Sequence, residues 1–429
     1  MSTYTFTRQE KKIITLAALG GMLEFYDFII YGVFSVYFAH QFFPATSGLV
    51  TVMESYLVFV LGYLARPIGG IIFSHIGDEY GRKKILMLTI ILMGIASAGI
   101  GLLPTYAEIG FAAPVLLLIL RLTQGLALGG ELPGTYVYIA ETMSEKRGMA
   151  FGLTMAGVNS GLLLGMFVNF LLNYFLTMEQ LTRFGWRLPF IVGGAVCIVS
   201  YRIRKTLQET TAFQKIQDKP TLPLIYLLKH HLIKCLSGIA LVSLMSGLAV
   251  AAVIFMPTWL KEMVGLDAGS ISRLMMIVMV LNIVTIYFTG KLTARYGSFA
   301  VLKNLLLLSG FLIPFGYFLI SHGYITFGLV IIGCLEGAAV MITPCVIATL
   351  FESKIRLTGV ALSYNIGFTL FGGLGPLVIT NAIRAGHGIY VTPCVYLLVM
   401  AVVCAGGLVC LGLSRKEVQK GVLAGEFAG

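Results

Sequence analysis

The sequence predicts an all-α membrane protein of twelve transmembrane helices, arranged as two pseudo-symmetric six-helix bundles with both termini cytoplasmic. Three observations carry this. The first is composition. Of 429 residues, 58% are hydrophobic and only 11% charged, against about 25% charged in a soluble domain. A spanning helix takes about 20 mostly apolar residues, so the chain holds enough for about twelve. The second is the placement of basic residues. With the N-terminus in the cytoplasm, the inside segments collect 23 Lys and Arg and the outside segments 5, with Arg66 and Arg121 left within spans. Cytoplasmic loops are enriched in Lys and Arg, and an odd number of spans scrambles the bias. The third is an internal repeat. Gly77-Asp78-Glu79-Tyr80-Gly81-Arg82 is echoed 216 positions later by Thr293-Ala294-Arg295-Tyr296-Gly297-Ser298, and Arg147-Gly148-Met149-Ala150 is echoed 211 positions later by Thr358-Gly359-Val360-Ala361. Offsets near half the chain length point to duplicated bundles. Such duplication implies a site between them near the bilayer midplane, opened alternately to each side by rocking.

Apolar runs between charged or turn-rich breaks place the helices at about 13–38, 49–76, 84–103, 112–140, 149–176, 187–203, 232–260, 271–290, 300–320, 325–350, 358–383 and 390–413. The first run carries Glu24 and Asp27, and no small-residue cleavage pattern follows it, so it reads as a retained span rather than a signal peptide. The second contains Pro67, where a kink is expected. The third follows the basic run Arg82-Lys83-Lys84, and the fourth bears a polar stripe. The fifth has Gly157, Gly161 and Gly165 on one face, a spacing for close helix packing. After the sixth comes the only sizeable break, with Pro220, Pro223 and many charges. It divides the chain into an N-terminal bundle (1–205), a cytoplasmic linker (206–231) and a C-terminal bundle (232–429). The last six runs bring Trp259, Asn282, Glu336, Tyr364 and Asn365 into the membrane. Runs longer than about 20 residues imply tilt or extension beyond the bilayer.

This composition excludes a soluble enzyme, a disordered chain and a nucleic-acid-binding domain. The net charge of +11 is orientation information rather than a nucleic-acid footprint. The seven cysteines are odd in number and form no C-x-x-C pair, so no disulfide framework or metal site follows. No phosphate-binding Walker loop is present, which removes an ATP-driven reading, and no cofactor is implied. His40, His230, His231, His322 and His387 fall near loops and read as solvated.

Several stretches look like the major facilitator superfamily. Gly77-Asp78, Gly81-Arg82-Lys83-Lys84 resembles its loop signature after helix 2, and Arg121-Leu122-Thr123-Gln124-Gly125 resembles its helix 4 signature. Within the superfamily the chain is most similar to the metabolite:proton symporters, which include proline/betaine, oxoglutarate, citrate and shikimate carriers. The carrying stretches are Leu23-Glu24-Phe25-Tyr26-Asp27-Phe28 with Phe42-Phe43-Pro44, Arg66-Pro67 with Gly69-Gly70, and Gln124-Gly125 with Gly129-Gly130-Glu131. Ser363-Tyr364-Asn365 and Phe371-Gly372-Gly373 with Pro376 match late in the chain. The sequence departs from the family where Leu132-Pro133-Gly134 follows Glu131, and where Ala294 and Ser298 stand in the second loop signature. The resemblance implies that Asp78 contacts the start of helix 11 and that Arg82 pairs with an acid such as Glu141, together forming a cytoplasmic gate.

Ionisable groups inside a bilayer cost about 2.5–3.5 kcal/mol each on insertion scales, so each is a functional candidate. Glu24, Asp27 and Tyr31 fall within a narrow arc of the first helix. Two carboxylates one turn apart in a low dielectric cannot easily both ionise, which suits groups that bind and release protons; an alternative is that one acid pairs with a buried Arg and only ties helices together. Arg121, Gln124, Glu131, Thr135 and Tyr138 share an arc of about 100° on the fourth helix, a stripe that must face the bundle interior. Glu24, Asp27 and Glu131 are the candidate proton-coupling residues. Arg121 offers a forked donor for a carboxylate, or a permanent bridge to one of those acids. With it, Gln124, Tyr31, Arg66, Glu336, Asn159, Trp259, Asn282, Tyr364 and Asn365 are candidate substrate-binding residues. Glu336 maps by the 211 offset onto Gly125, one turn from Arg121.

The expected function is a proton-coupled symporter importing a small organic carboxylate or zwitterion across an inner or plasma membrane. It is expected to be a multi-pass monomer whose partners are solute, protons and the lipid bilayer. A drug:proton antiporter exporting hydrophobic compounds is disfavoured by Arg121 and the short central loop. A non-transporting nutrient sensor on the same fold is disfavoured by the short tail, Ser414 to Gly429.

Overall fold

The computed structural model describes residues 5–43, 48–217 and 220–426. Pro44 and Lys219, and the side chains of Phe28, Arg415, Lys416 and Lys420, lie outside the described residues. All regular structure among the described residues is helical. The chain forms two compact units, residues 1–219 and 220–429.

The first unit contains α1 (Arg8–Phe42), α2 (Gly48–Tyr80), α3 (Arg82–Leu102), α4 (Ala112–Thr142), α5 (Arg147–Phe175) and α6 (Arg187–Arg204). The second contains α7 (Leu232–Ala249), α8 (Ala268–Tyr296), α9 (Ser298–Ser321), α10 (Ile325–Ile347), α11 (Arg356–Gly367) and α12 (Val391–Glu426). Among the described residues, ten helices are long and apolar enough to cross a bilayer, and Met178–Gly185 joined to Arg187–Arg204 with a 43° bend makes an eleventh. α2, at 33 residues, is as long as these helices. Pro67 stands inside α2, which runs on through it. Two spans are interrupted by π-helical turns: α7 at Val250–Ile254, before Met256–Trp259, and α11 at Phe368–Gly373, before Gly375–Arg384. Pro257 and Pro376 follow these turns, each lacking the N–H that would continue the helical ladder.

Local chemistry sets the helix ends. Thr7 and Glu10 form a capping box at the start of α1. Lys146 and the Thr7 backbone N–H both donate to the Glu10 carboxyl. The repeated Tyr-Gly has a backbone cause. Gly81 (φ +114°) and Gly297 (φ +83°) turn the chain directly from α2 into α3 and from α8 into α9. A side chain at those angles is strained.

Glycines set how closely the helices approach. A Cβ on Gly125 of α4 would lie 1.7 Å from the Gly62 carbonyl oxygen of α2, one on Gly69 2.1 Å from the Leu126 oxygen, and one on Gly129 2.2 Å from the Arg66 oxygen. α2 and α4 therefore meet backbone to backbone, which carries Arg66 and Arg121 into the same interior. Gly161 of α5 meets the Met22 oxygen of α1 in the same way, at 2.0 Å, with Gly157 and Gly165 on either side against Ala18 and Ile29. Gly125→Ala is expected to destabilise the protein by about 1–3 kcal/mol, because backbone cannot yield as a side chain does. Thermal unfolding in detergent reads the loss, and an unchanged midpoint would contradict the packing. At the other end of α1, Tyr31, Phe34, Phe38 and Phe42 pack with Trp186 and Phe190 in a buried aromatic core.

Three stretches add detail to the sequence expectations. The stretch read as a linker is divided. Tyr138 donates to the Gln208 carbonyl at 2.6 Å, and Thr210 donates to Glu141 at 2.6 Å, so this part is fastened to the first unit. Pro223–His230 is a helix in the second unit. Arg204, counted above as a cytoplasmic charge, is 0% exposed; its long side chain turns inward because an acid waits there. Finally, the helix read as ending near 413 continues to Glu426, so the tail is largely helical backbone.

Candidate functional site

The first unit gathers a polar cluster in its apolar interior. α1 supplies Glu24, Asp27 and Tyr31, α2 supplies Arg66, α3 supplies Ser97, and α4 supplies Arg121 and Gln124, all buried. Asp27 and Tyr31 are four residues apart and Arg121 and Gln124 three, so each pair shares a helix face. The Arg121 guanidinium lies 3.9 Å above the centre of the Tyr31 ring, a cation–π arrangement strengthened by desolvation. Arg121 also donates to Gln124 Oε1 at 2.6 Å. The Gln124 amide in turn donates to Ser97 Oγ at 2.9 Å and to Asp27 Oδ2 at 3.4 Å, and the Ser97 hydroxyl donates to the same Asp27 oxygen. Asp27 and Arg121 are thus joined through Gln124 and Ser97.

Glu24 has its own cation, with Arg66 Nη2 at 3.5 Å from Oε1. Glu24 Oε2 and Asp27 Oδ1 are buried with no hydrogen-bond partner among the described residues. Buried polar atoms are rarely left so. Each acid therefore keeps one oxygen on which a proton can sit.

Glu131 is placed differently. Arg204 reaches it from the end of α6 at 2.6 Å and 3.2 Å, and Thr89 donates to it at 2.5 Å. Arg204 also donates to the Leu86 and Leu16 carbonyls, at 2.7 Å and 3.4 Å. This carboxylate is neutralised at both oxygens, and the pair pins α1, α3, α4 and α6 together. Gly20 makes the room: a Cβ there would lie 1.6 Å from Arg204 Nη2.

The third group lies where α2 turns into α3. The Arg82 guanidinium is 3.2 Å from Asp78 and 3.2 Å from Glu141, and it lies 4.7 Å from the Phe213 ring centre. Glu209 accepts from the backbone N–H groups of Arg82 and Lys83, each at 3.1 Å, the favourable position for an acid at a helix N-terminus. Within its own unit, then, the partner of Asp78 is Arg82.

In the second unit Asn282 donates to Glu336 Oε2 and to the Gly333 carbonyl, the latter at 2.9 Å. Trp259 donates to the Ile389 carbonyl at 3.2 Å and packs edge-on against Tyr317 and Tyr390. Tyr364 is buried beside Phe368. The amides of Asn159 and Asn365 donate to carbonyls of their own helices, Met155 and Ala361, at 3.0 Å and 2.9 Å. Among the described residues no group of three or more His, Cys, Asp or Glu is disposed to hold a metal.

Sequence reasoning missed Ser97, Thr89, Arg204 and Glu209. A single Ser or Thr in an apolar helix looks like packing, and a basic residue at a helix end looks like a positive-inside charge. Only the unpaired Glu131 in the middle of α4 signals that a cation must reach it.

Residues 17–376 match the model of the Major Facilitator Superfamily. A putative proline/betaine transporter of Staphylococcus aureus (strain COL) is 31% identical over 411 residues, covering 92% of this chain and 87% of the relative. The ectoine/proline transporter ProP of Corynebacterium glutamicum is 30% identical, covering 95% and 84%. The proline/betaine transporter of Salmonella typhimurium is 31% identical, covering 97% and 85%. Among solved structures, the proton:xylose symporter XylE matches with a TM-score of 0.74 at 17% identity, covering 92% of this chain and 94% of that one. The Escherichia coli fucose:proton symporter FucP matches with a TM-score of 0.68 at 13% identity, covering 93% and 98%. At these identities the structural likeness shows the fold alone.

Proposed function

The chain belongs to the major facilitator superfamily, and from that premise we propose that it is a proton-coupled symporter importing a small zwitterion or carboxylate by alternating access. It is an integral membrane transporter and not an enzyme. An inner or plasma membrane location belongs to the proposal.

One observation carries the reading: a buried acid, Asp27, and a buried cation, Arg121, are joined through a neutral amide instead of a direct bridge. Such a link is exchangeable. A solute carboxylate can take the Arg121 fork from Gln124, since bidentate guanidinium–carboxylate bonds are stronger than a bond to an amide. Asp27 and Glu24 then take protons on the oxygens left open. Protonation of Glu24 weakens its 3.5 Å contact with Arg66, leaving a second cation to face the solute. Either event alone leaves an unmatched charge in a low-dielectric interior, which is costly. The closed, transporting state is reached with both ligands or with neither, and that is coupling. Proline, betaine and ectoine, named for the relatives, each carry a carboxylate beside a cationic nitrogen, and this supports zwitterions as the substrate class.

Proteoliposome uptake of labelled proline and betaine, with and without an inward proton gradient, tests the reading. Accumulation is expected only with the gradient. Gradient-independent accumulation, or proton-driven efflux of hydrophobic dyes in its place, would overturn it.

A further inference from the structure

Among the described residues, the buried carboxyl groups of the first unit all have arginines. Glu24 has Arg66, Asp78 and Glu141 have Arg82, Glu131 has Arg204, and Asp27 reaches Arg121 through Gln124. In the second unit the one carboxyl buried within a helix, among the described residues, is Glu336, at 3% exposure. No Lys or Arg stands within ion-pair distance of it there; its neighbour is the neutral amide of Asn282. The cations of the helices packed on α10 sit near helix ends: Arg273, Lys291 and Arg295 on α8, Lys303 on α9, Lys234 on α7, and Arg356 at the start of α11. On α8, positions 273 and 291 are each nine residues from Asn282, about 13 Å along the axis.

The isolation is built into the packing. Gly333 and Gly337 flank Glu336 on α10. A Cβ on Gly333 would lie 2.4 Å from Val278, and one on Gly337 2.7 Å from the Asn282 carbonyl oxygen. The small residues let α8 and α10 touch, and that contact delivers Asn282 to the carboxyl. Its amide makes two donations, one to the Gly333 carbonyl and one to Glu336 Oε2. Oε1 is left as the oxygen for a proton.

We propose that Glu336 is a further proton-carrying carboxyl of this chain, beyond Glu24 and Asp27, and that Asn282 is its positioning residue, a role that rests on the symport reading above. A proton adds to Oε1 to give the neutral acid and later departs from Oε1 to water. The Asn282 bond to Oε2 persists throughout.

Infrared difference spectroscopy of the full protein in lipid nanodiscs tests this across a pH titration. A protonated-carboxyl C=O band is expected that Glu336→Gln removes, Glu336→Asp restores in part, and Asn282→Ala shifts in frequency and midpoint. The second arm measures the limiting accumulation of labelled proline across a proton gradient of about one pH unit. One coupled proton fewer lowers that limit about tenfold, and this is expected for Glu336→Gln. A carboxyl spectrum untouched by Glu336→Gln, or an accumulation limit equal to that of the native protein, overturns the proposal. The infrared arm needs neither solute nor transport, and Asn282→Ala keeps the native carboxyl should the Glu336 variants fold poorly. Uptake by the native protein that ignores the proton gradient sinks the symport reading separately.

Discussion

Replacing Asp27 by asparagine is expected to lower the limit of uphill accumulation about tenfold across a gradient of about one pH unit while leaving solute counterflow intact, and Glu24→Gln is expected to do the same. Each substitution keeps a polar side chain of the same size but removes the oxygen that takes the proton. Counterflow exchanges labelled for unlabelled solute without net proton movement, so a permanently neutral residue 27 does not obstruct it. If both variants still reach the native accumulation limit, the protons travel elsewhere. Arg121→Lys is the companion experiment. Lysine keeps the charge but not the planar fork that meets Gln124 and stacks on Tyr31. A charge-assisted hydrogen bond is worth about 1.5–3 kcal/mol, so solute affinity is expected to fall roughly 10- to 100-fold. Native affinity in Arg121→Lys would show that the guanidinium does not hold the solute.

Arg204→Met or Glu131→Gln alone is expected to cost about 3–5 kcal/mol of stability, because each leaves its partner buried and unmatched. The double replacement, Arg204→Met with Glu131→Leu, is expected to recover most of that loss. Gly20→Ala attacks the same pair from α1, where the added methyl falls on the guanidinium. Unfolding in detergent measures all four variants. The decisive outcome concerns Glu131. Should Glu131→Gln unfold normally yet uncouple transport, Glu131 is a proton site and the Arg204 bridge is dispensable. A stability loss with coupling intact identifies the pair as a pin for the bundle.

Much of the first unit's site was legible without coordinates because charges in oil are expensive. Glu24, Asp27, Arg66, Arg121 and Gln124 stood out by type and place, and the helical period put them on inward faces. Apart from Arg82 with Glu141, which the resemblance implied and the structure brings to 3.2 Å, who pairs with whom was not legible. Arg121 had three candidate acids in the sequence, and the structure gives it Gln124 and the Tyr31 ring. Glu131 looked equivalent to Glu24 until Arg204, 73 residues away in sequence, was seen to reach it. The amides of Asn159 and Asn365 each bond a carbonyl of their own helix, a local choice that sequence spacing does not reveal.

By itself, then, the sequence determined the helical membrane class and the division of the chain into halves, and it sets an expected orientation, since each follows from a one-dimensional quantity: apolar length, the Tyr-Gly repeat, and the tally of Lys and Arg between spans. Tertiary structure alone decided the partners. Ion pairs and hydrogen bonds form over a few ångströms, and the distance between α4 and the end of α6, or between Asn282 and Glu336, is set by which glycines let helices touch.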